Sequence, residues 1–364
     1  MKVLLLINSL QIGGAEKHVV TTANNLVNNN IEVYVCSVSN KIAQRNKLDE
    51  RVTFYSLGED ENLSLKKVWR LGSYLKKNKI DIVHSHLFLS DIYNFLSSFT
   101  HYKKIKRIST EHSTSSRRKK YKSFGFIQRL IYRRFETIIA ISNAVKIHVL
   151  KWTGVSHRKL VTIHNGTEID IKPQKEIIEK YSQLTFRKVR IGTLARLEHR
   201  KDLRTSLRSI RYLVYKLGYT DFHYTIYGDG PQRNMLESYA NELEINDFVD
   251  FPGFQSDINE VIDDIDIHIL PSIEEGFGIS IIETMARGIP NVGTVTGGIP
   301  EIISDSINGY LFNCGDYKEL SNKLLTLMKE KEKILEFGIV ASEQVRKKYT
   351  STNAALELIE IYKS

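Results

Sequence analysis

The sequence predicts two doubly wound α/β domains, each built on a parallel sheet with helices on both faces. Three observations carry this. Short apolar runs alternate with helical stretches through both halves of the chain. The runs are apolar along their length, as strands covered on both faces are. A chain of 364 residues with 41% hydrophobic content is long enough for two ordinary cores.

Val3–Ile7 reads as the first strand and Ala15–Asn28 as a helix, with Val19, Val20, Ala23 and Leu26–Val27 near one face. Ile31–Ser37 and Val52–Tyr55 are the next strands. A helix over Leu63–Lys77, a strand over Ile80–His84 and a helix over Asp91–Ser98 follow. Ile105–Thr110 and Thr137–Ile141 are strands, and Ser142 can cap a helix running to Leu150, because a serine oxygen accepts from a first-turn N–H. Leu160–Ile163 completes the set. His164-Asn165-Gly166 makes a turn, and Asp170–Arg187, which holds Pro173, loses strand pattern apart from a short helix at Glu176–Tyr181. This link predicts one domain over 1–170 and another over 171–349.

In the second half Val189–Thr193, Phe222–Tyr227, Phe248–Phe251, Ile265–Leu270 and Asn291–Gly293 read as strands. Helices are expected at Asp202–Leu217, from Gly228-Asp229-Gly230-Pro231 to Leu243, from about Ile279, and over Asp316–Lys329 and Lys333–Lys347. A last helix, Thr352–Tyr362, lies in the terminal segment 350–364. Two such domains leave a crevice at the carboxyl ends of their sheets, where ligands bind.

The net charge of +10 is uneven. Residues 1–170 carry 28 Lys/Arg against 13 Asp/Glu, and residues 171–364 carry 24 against 29. His101–Arg134 alone has 12 basic residues and one acid, Glu111. Such a stretch suits an anionic lipid surface or an anionic substrate, a solvated loop being the alternative. No zinc spacing, helix-turn-helix or RNP-like motif accompanies it, so no nucleic-acid partner is expected. Cys36 and Cys314 show no ligand spacing and read as small buried residues in a reduced compartment. Val3–Ile7 is too short an apolar run for a signal peptide or membrane span, which points to the cytoplasm.

Candidate ligand groups cluster at strand ends. Gly13-Gly14 follows the first strand and opens the first helix, where a backbone can approach a phosphate; an ordinary tight turn is the alternative. It is neither a G-x-G-x-x-G fingerprint nor a Walker A loop. Glu111-His112 follows the strand Ile105–Thr110. Arg196 and Lys201 follow the strand Val189–Thr193, as a cation pair suited to a diphosphate or as part of a surface charge run with Arg200 and Arg204. In Pro271–Arg287 a buried strand runs into Gly276 and Gly278, then a helix from about Ile279. Glu275 precedes that helix and Glu283 lies on its second turn. A helix N-terminus attracts anions, so two carboxylates beside one suit a ligand with both phosphates and hydroxyls, or else a cap and a solvated surface residue. Asp264-Ile265-Asp266 looks like a metal-holding D-x-D, but it stands at the start of a buried strand and reads as structural. No metal site is expected.

Taken together, these segments resemble a retaining glycosyltransferase of the GT-B fold, in the nucleotide-sugar-dependent family 4. The resemblance spans nearly the whole chain through Gly13-Gly14-Ala15-Glu16, Thr110-Glu111-His112, Ile141-Ser142, Asn165-Gly166, Arg196 with Lys201, Tyr227-Gly228-Asp229-Gly230-Pro231, Phe251-Pro252-Gly253-Phe254, and the E-x(7)-E pair Glu275 and Glu283. It implies a catalytic set of His112, Arg196, Lys201 and Glu275. Arg196 and Lys201 would neutralise a leaving diphosphate, with Gly13 and Gly14 helping. Glu275 and His112 would contact the transferred sugar, and Glu283 the ribose. Gly276, Phe277, Gly278 and Ile279 would hold sugar and phosphate, and Gly228, Gly253 and Phe254 would lie by the nucleotide and its base. The resemblance further implies a UDP-sugar donor and a metal-independent hexosyl or N-acetylhexosaminyl transfer. The acceptor would be a glycan or an undecaprenyl-diphosphate-linked saccharide, in capsule, O-antigen, lipopolysaccharide or exopolysaccharide synthesis. The enzyme would work at the inner face of the plasma membrane, held there by the basic segment 101–134. A UDP-sugar 2-epimerase of the same fold, a glycoside hydrolase using Glu275 and Glu283, and a non-catalytic sugar-nucleotide-binding protein are the competing readings.

Overall fold

Each of two sheets is parallel throughout, and each is wound outward in both directions from a central pair of strands. The computed structural model describes residues 1–100, 104–114, 121–182, 184 and 187–364, apart from the Lys122 side chain. The chain divides into unit 1, Met1–Gly166 with Ser351–Ser364, and unit 2, Thr167–Thr350.

Unit 1 runs β1 (Lys2–Ile7), α1 (Gly14–Asn28), β2 (Glu32–Ser37), β3 (Thr53–Ser56), α2 (Leu65–Asn78), β4 (Ile82–His86), α3 (Phe88–Ser97), β5 (Lys106–Glu111), α4 (Lys122–Arg133), β6 (Thr137–Ala140), α5 (Asn143–Thr153) and β7 (Leu160–Thr162). Its sheet has the order β3-β2-β1-β4-β5-β6-β7. Side chains alternate across a strand, and β1 shows the consequence. Val3, Leu5 and Ile7 enter one core with Val19, Ala23 and Leu26 of α1. Leu4 and Leu6 enter another with Val68 and Leu71 of α2. Complete burial of such a side chain is worth about 2 kcal/mol, which explains a strand that is apolar from Val3 to Ile7.

Unit 2 runs α6 (Gln174–Ser182), β8 (Val189–Leu194), α7 (Leu203–Tyr215), β9 (Phe222–Tyr227), α8 (Arg233–Glu242), β10 (Val249–Gly253), α9 (Ile258–Asp263), β11 (Ile267–Leu270), α10 (Ile279–Ala286), β12 (Asn291–Thr294), α11 (Ile299–Ile302), β13 (Gly309–Phe312), α12 (Tyr317–Lys329) and α13 (Lys331–Lys348). The sheet order is β10-β9-β8-β11-β12-β13. The last helix, α14 (Ser351–Lys363), belongs to unit 1, where Leu358, Ile359 and Tyr362 join the core beneath α1.

The α/β class holds, with differences in detail. Strand β4 runs two residues past the expected end, so His86 as well as His84 lies in the sheet. Part of the basic stretch is the helix α4 rather than a loop. Arg117, Arg118, Lys119 and Lys120 lie outside the described residues. β13, α9 and α11 were not expected, being short and weakly patterned. Ser142 caps α5, its Oγ accepting from Val145 N–H at 3.1 Å. Cys36 is buried, but Cys314 is exposed in the turn after β13, contrary to expectation. Asp266 is structural, accepting from the Arg187 and Arg190 guanidiniums on either side of the start of β8. Among the described residues no helix is long and apolar enough to cross a membrane, and no group of three or more His, Cys, Asp or Glu is arranged to hold a metal ion.

Candidate active site

In a doubly wound sheet the two central strands send their chains in opposite directions, which opens a crevice at their carboxyl ends. In unit 2 those strands are β8 and β11. Arg196 and Lys201 follow β8, and Glu275 and α10 follow β11. The structure brings two of these together: Lys201 Nζ is 2.5 Å from Glu275 Oε2, with both side chains mostly shielded from water. Ser272 Oγ supports the same carboxylate oxygen at 3.4 Å. The two loops are also joined through the backbone, Ile273 N–H donating to Arg200 O at 2.9 Å. Arg196 is exposed.

The helix α10 starts at Gly278, whose φ of 108° puts it in the left-handed region that favours glycine. No side chain caps the helix there, although helix starts at Asp257 and Asp316 are capped. Its first N–H groups therefore have no capping side chain to accept them. Glu283, on the second turn, is 4% exposed, which removes the solvated-surface reading. Phe277 is buried, its ring against Tyr349. Gly228 and Gly253 tie the ends of β9 and β10, Gly228 N–H donating to Gly253 O at 2.9 Å, and Phe254 stands exposed beyond them.

Two features beneath this site were not foreseen. Gly297, after β12, has φ 52°, and a Cβ there would overlap the Glu275 carbonyl oxygen, so the Gly297-Gly298 loop is pressed against the backbone that presents Glu275. The paired glycines after a strand were the available signal. The second is a buried network. Asn291 Oδ1 accepts from Thr284 Oγ1 at 3.0 Å and from His268 Nδ1 at 2.6 Å, and His268 Nε2 accepts from Leu194 N–H at 3.4 Å. This ties the residue next to Glu283 to the strand end that leads to Arg196. Burial pushes the His268 pKa down to about 4, as its partners require, because Nε2 must stay unprotonated to accept. Nothing in a lone His268 and Asn291, 23 residues apart, predicts the pair.

In unit 1 the central strands are β1 and β4. Gly13 and Gly14 follow β1, and His112 follows β5. A Cβ on Gly13 would overlap the Glu16 carboxylate, which folds back over the helix start, while a Cβ on Gly14 would meet nothing of the chain within 4 Å. The Glu16 carboxylate ends a flexible side chain that can swing aside, so packing requires neither glycine. His112 lies among His18 of α1 (ring centroids 5.3 Å apart) and His86 (5.3 Å). His84 bridges Tyr362 Oη of α14 and Thr110 Oγ1, each at 2.7 Å. Burial holds His18 down to about 4 and His84 and His86 well below the ordinary histidine value. A cavity of about 20 Å³ beside His18, His84 and Asn165 has room for about one water and not for a sugar.

Residues 12–171 match the family model described as Glycosyltransferase Family 4, and residues 174–344 match Glycosyl transferases group 1. The fold is shared with crystal structures of known GT-B glycosyltransferases. That of Anabaena HepE in complex with UDP superposes with a TM-score of 0.83 over 100% of both chains, at 19% identity. The chain belongs to this glycosyltransferase family. It is 30% identical over 205 residues to the amylovoran biosynthesis glycosyltransferase AmsK of Erwinia amylovora, which takes in 54% of this chain and 50% of that protein. It is 25% identical over 331 residues, 89% of this chain and 88% of the other, to a Campylobacter jejuni alpha-1,4-N-acetyl-D-galactosaminyltransferase named for an undecaprenol-diphosphate-linked acceptor. The chain spans half or less of the length of the first three relatives it matches.

Proposed function

We propose that the protein transfers a hexose or N-acetylhexosamine, with retention of configuration, from a UDP-sugar to a glycan or lipid-diphosphate-linked saccharide in surface-polysaccharide synthesis. The observation that carries the reading is the arrangement in unit 2. The Lys201–Glu275 ion pair and the uncapped start of α10 lie after the two central strands, with Arg196 after the same strand as Lys201 and Glu283 on α10. Breaking a bond from sugar to diphosphate needs negative charge stabilised on the leaving group. Fixed cations and backbone N–H groups supply that without reorganising. Arg196 and Lys201 take this part, with N–H groups at Phe277, Gly278 and Ile279. Lys201 is held by Glu275 before any diphosphate competes for it, so the ion pair keeps the ammonium placed at little entropic cost on binding. Glu275 then meets the transferred sugar, Glu283 the ribose hydroxyls, and the segment at Gly228, Gly253 and Phe254 the nucleotide. In unit 1, Gly13 and Gly14 approach phosphate and His112 the sugar. The acceptor proton passes to the departing phosphate, and the reaction needs no metal.

The place of action is the cytoplasmic face of the plasma membrane. Support comes from α4, where Phe126, Ile127 and Leu130 are exposed on a helix that also carries Arg129 and Arg133. Basic residues with exposed apolar ones suit an anionic lipid surface. The HepE crystals with UDP and UDP-glucose support a uridine donor.

The test is UDP release from a panel of UDP-sugars, followed by transfer to lipid-linked saccharides, with the anomeric configuration of the product determined. Turnover of no nucleotide sugar in the panel would sink the reading. A changed sugar stereocentre without acceptor would replace it with an epimerase.

A further inference from the structure

His86 has no part in the reading above. It ends β4, is wholly buried, and stands opposite Thr110 in the parallel register of β4 and β5. Two residues beyond Thr110, His112 comes alongside it, with His86 Nδ1 3.1 Å from His112 Nε2. The other nitrogen, His86 Nε2, is buried with no hydrogen-bond partner among the described residues. In a neutral imidazole one nitrogen bears the proton and the other accepts. An orphaned buried N–H is the rarer and costlier arrangement. The His86 proton therefore sits on Nδ1 and the lone pair on Nε2. Nδ1–H then donates to His112 Nε2, which must be unprotonated, and the proton of a neutral His112 is left on its own Nδ1.

We propose that His86 is a positioning residue, whose Nδ1–H fixes the orientation of the His112 ring and holds it as the Nδ1–H tautomer. The proposal rests on the reading that His112 contacts the donor sugar, and it gives that contact a polarity: through Nδ1, His112 donates and the sugar oxygen accepts. Among the described residues the titratable groups facing His86 are His84 on its own strand, His18 on α1 and His112 after β5, with ring centroids 4.3, 5.8 and 5.3 Å away. Burial and these neighbours keep His86 uncharged at neutral pH. An imidazolium would carry an N–H on both nitrogens and bury one of them unpaired.

Long-range proton–nitrogen correlation spectra of isotope-labelled histidine distinguish the tautomers, with the His112 signals assigned by their loss in His112→Gln. The expected spectrum shows His112 protonated on Nδ1 and bare on Nε2. His86→Leu removes the donor and shifts His112 to a mixture. His86→Asn sets an amide nitrogen where Nδ1 stood and keeps the tautomer, whereas His86→Gln sets it where Nε2 stood and does not. His112 protonated on Nε2 in the unaltered protein, or unmoved in a folded His86→Leu, overturns the proposal. The unaltered spectrum and that of His86→Asn decide the matter if His86→Leu does not fold. UDP release from UDP-glucose separates this from the underlying reading. His86→Leu should lower kcat about tenfold with KM less affected. Unchanged release in His112→Ala would end the role of His112 while leaving its tautomer established. Loss in His112→Ala with full kcat in His86→Leu would end the role of His86 alone.

Discussion

The two units solve the same problem with opposite chemistry. In unit 1 the polar groups at the central strand ends are imidazoles bonded to one another and to hydroxyls, as in Tyr362–His84–Thr110 and His86–His112. In unit 2 they are charges, with Lys201 on Glu275, Arg196 exposed and Glu283 buried. Charge that is to meet a charged ligand has to stay within reach of it, and its partner in the free protein must be one a ligand can displace. Neutral groups can be buried outright and made rigid, at the cost of a dependence on pH.

That cost gives the largest expected effect. A histidine in the unfolded chain takes a proton near 6.5, but His18 does so only near 4, and His84 and His86 well below the ordinary value, all because of burial. Between about pH 6.5 and 4 the unfolded chain thus binds more protons than the folded one. Stability is complete above this window and falls as pH drops through it, by about 3 kcal/mol for a single group such as His18. Unit 2 has one such group at its site, His268. Amide hydrogen exchange followed from pH 7 to 4 should therefore show strands β4 and β5 losing protection before β8 and β11. Equal loss in both sheets would break the comparison.

The charged side is tested by turnover. Arg196→Ala and Lys201→Ala should each lower kcat about 100-fold or more, the usual result of removing one group that stabilises charge in the transition state. Unfolding midpoints should barely move for Arg196→Ala, because that side chain is exposed. A turnover within a few-fold of normal would remove either residue from the chemistry.

What was legible in the sequence follows the same division. The runs Val3–Ile7 of β1 and Val33–Cys36 of β2 were readable because burial on both faces makes them apolar throughout, and β9 because buried Phe222, Tyr224 and Ile226 alternate with half-buried residues. Arg196, Lys201 and Glu275 stood out as charged residues just past strand ends and Glu283 as a carboxylate on the helix that follows, and of these the structure pairs Lys201 with Glu275 and buries Glu283. The histidine cluster was not. His18, His84, His86 and His112 sit on three separate elements, and only the register of β1, β4 and β5 brings them together. The network of His268, Asn291 and Thr284 was hidden for the same reason. The helix α4 was hidden by its charge, which made a basic stretch look like a loop although Ile131 and Tyr132 are buried.

Gly297→Ala sharpens the contrast within unit 2. The backbone there is left-handed and a Cβ would strike the Glu275 carbonyl, so either the loop or Glu275 must shift. Strain of this kind costs about 1–3 kcal/mol. Because the displaced residue is the partner of Lys201, the donor KM should rise together with the loss of stability measured by denaturant. A stability loss with unchanged kinetics would make Gly297 a packing residue only.

The smallest effect comes from comparing two helix starts. At α5 the Ser142 hydroxyl accepts from Val145 N–H, so that end of the helix is satisfied within the protein. At α10 the cap is Gly278, which has no side chain to accept from the first turn. If the difference is one of purpose, removing the cap at α5 should cost stability and nothing else. Ser142→Ala is expected to lose about 1 kcal/mol in urea unfolding, the ordinary worth of a serine cap, with kcat and donor KM unchanged. A kinetic defect as large as that of Lys201→Ala would mean that the start of α5, too, faces substrate, and that the contrast between buried imidazoles in unit 1 and charged groups in unit 2 has been drawn too sharply.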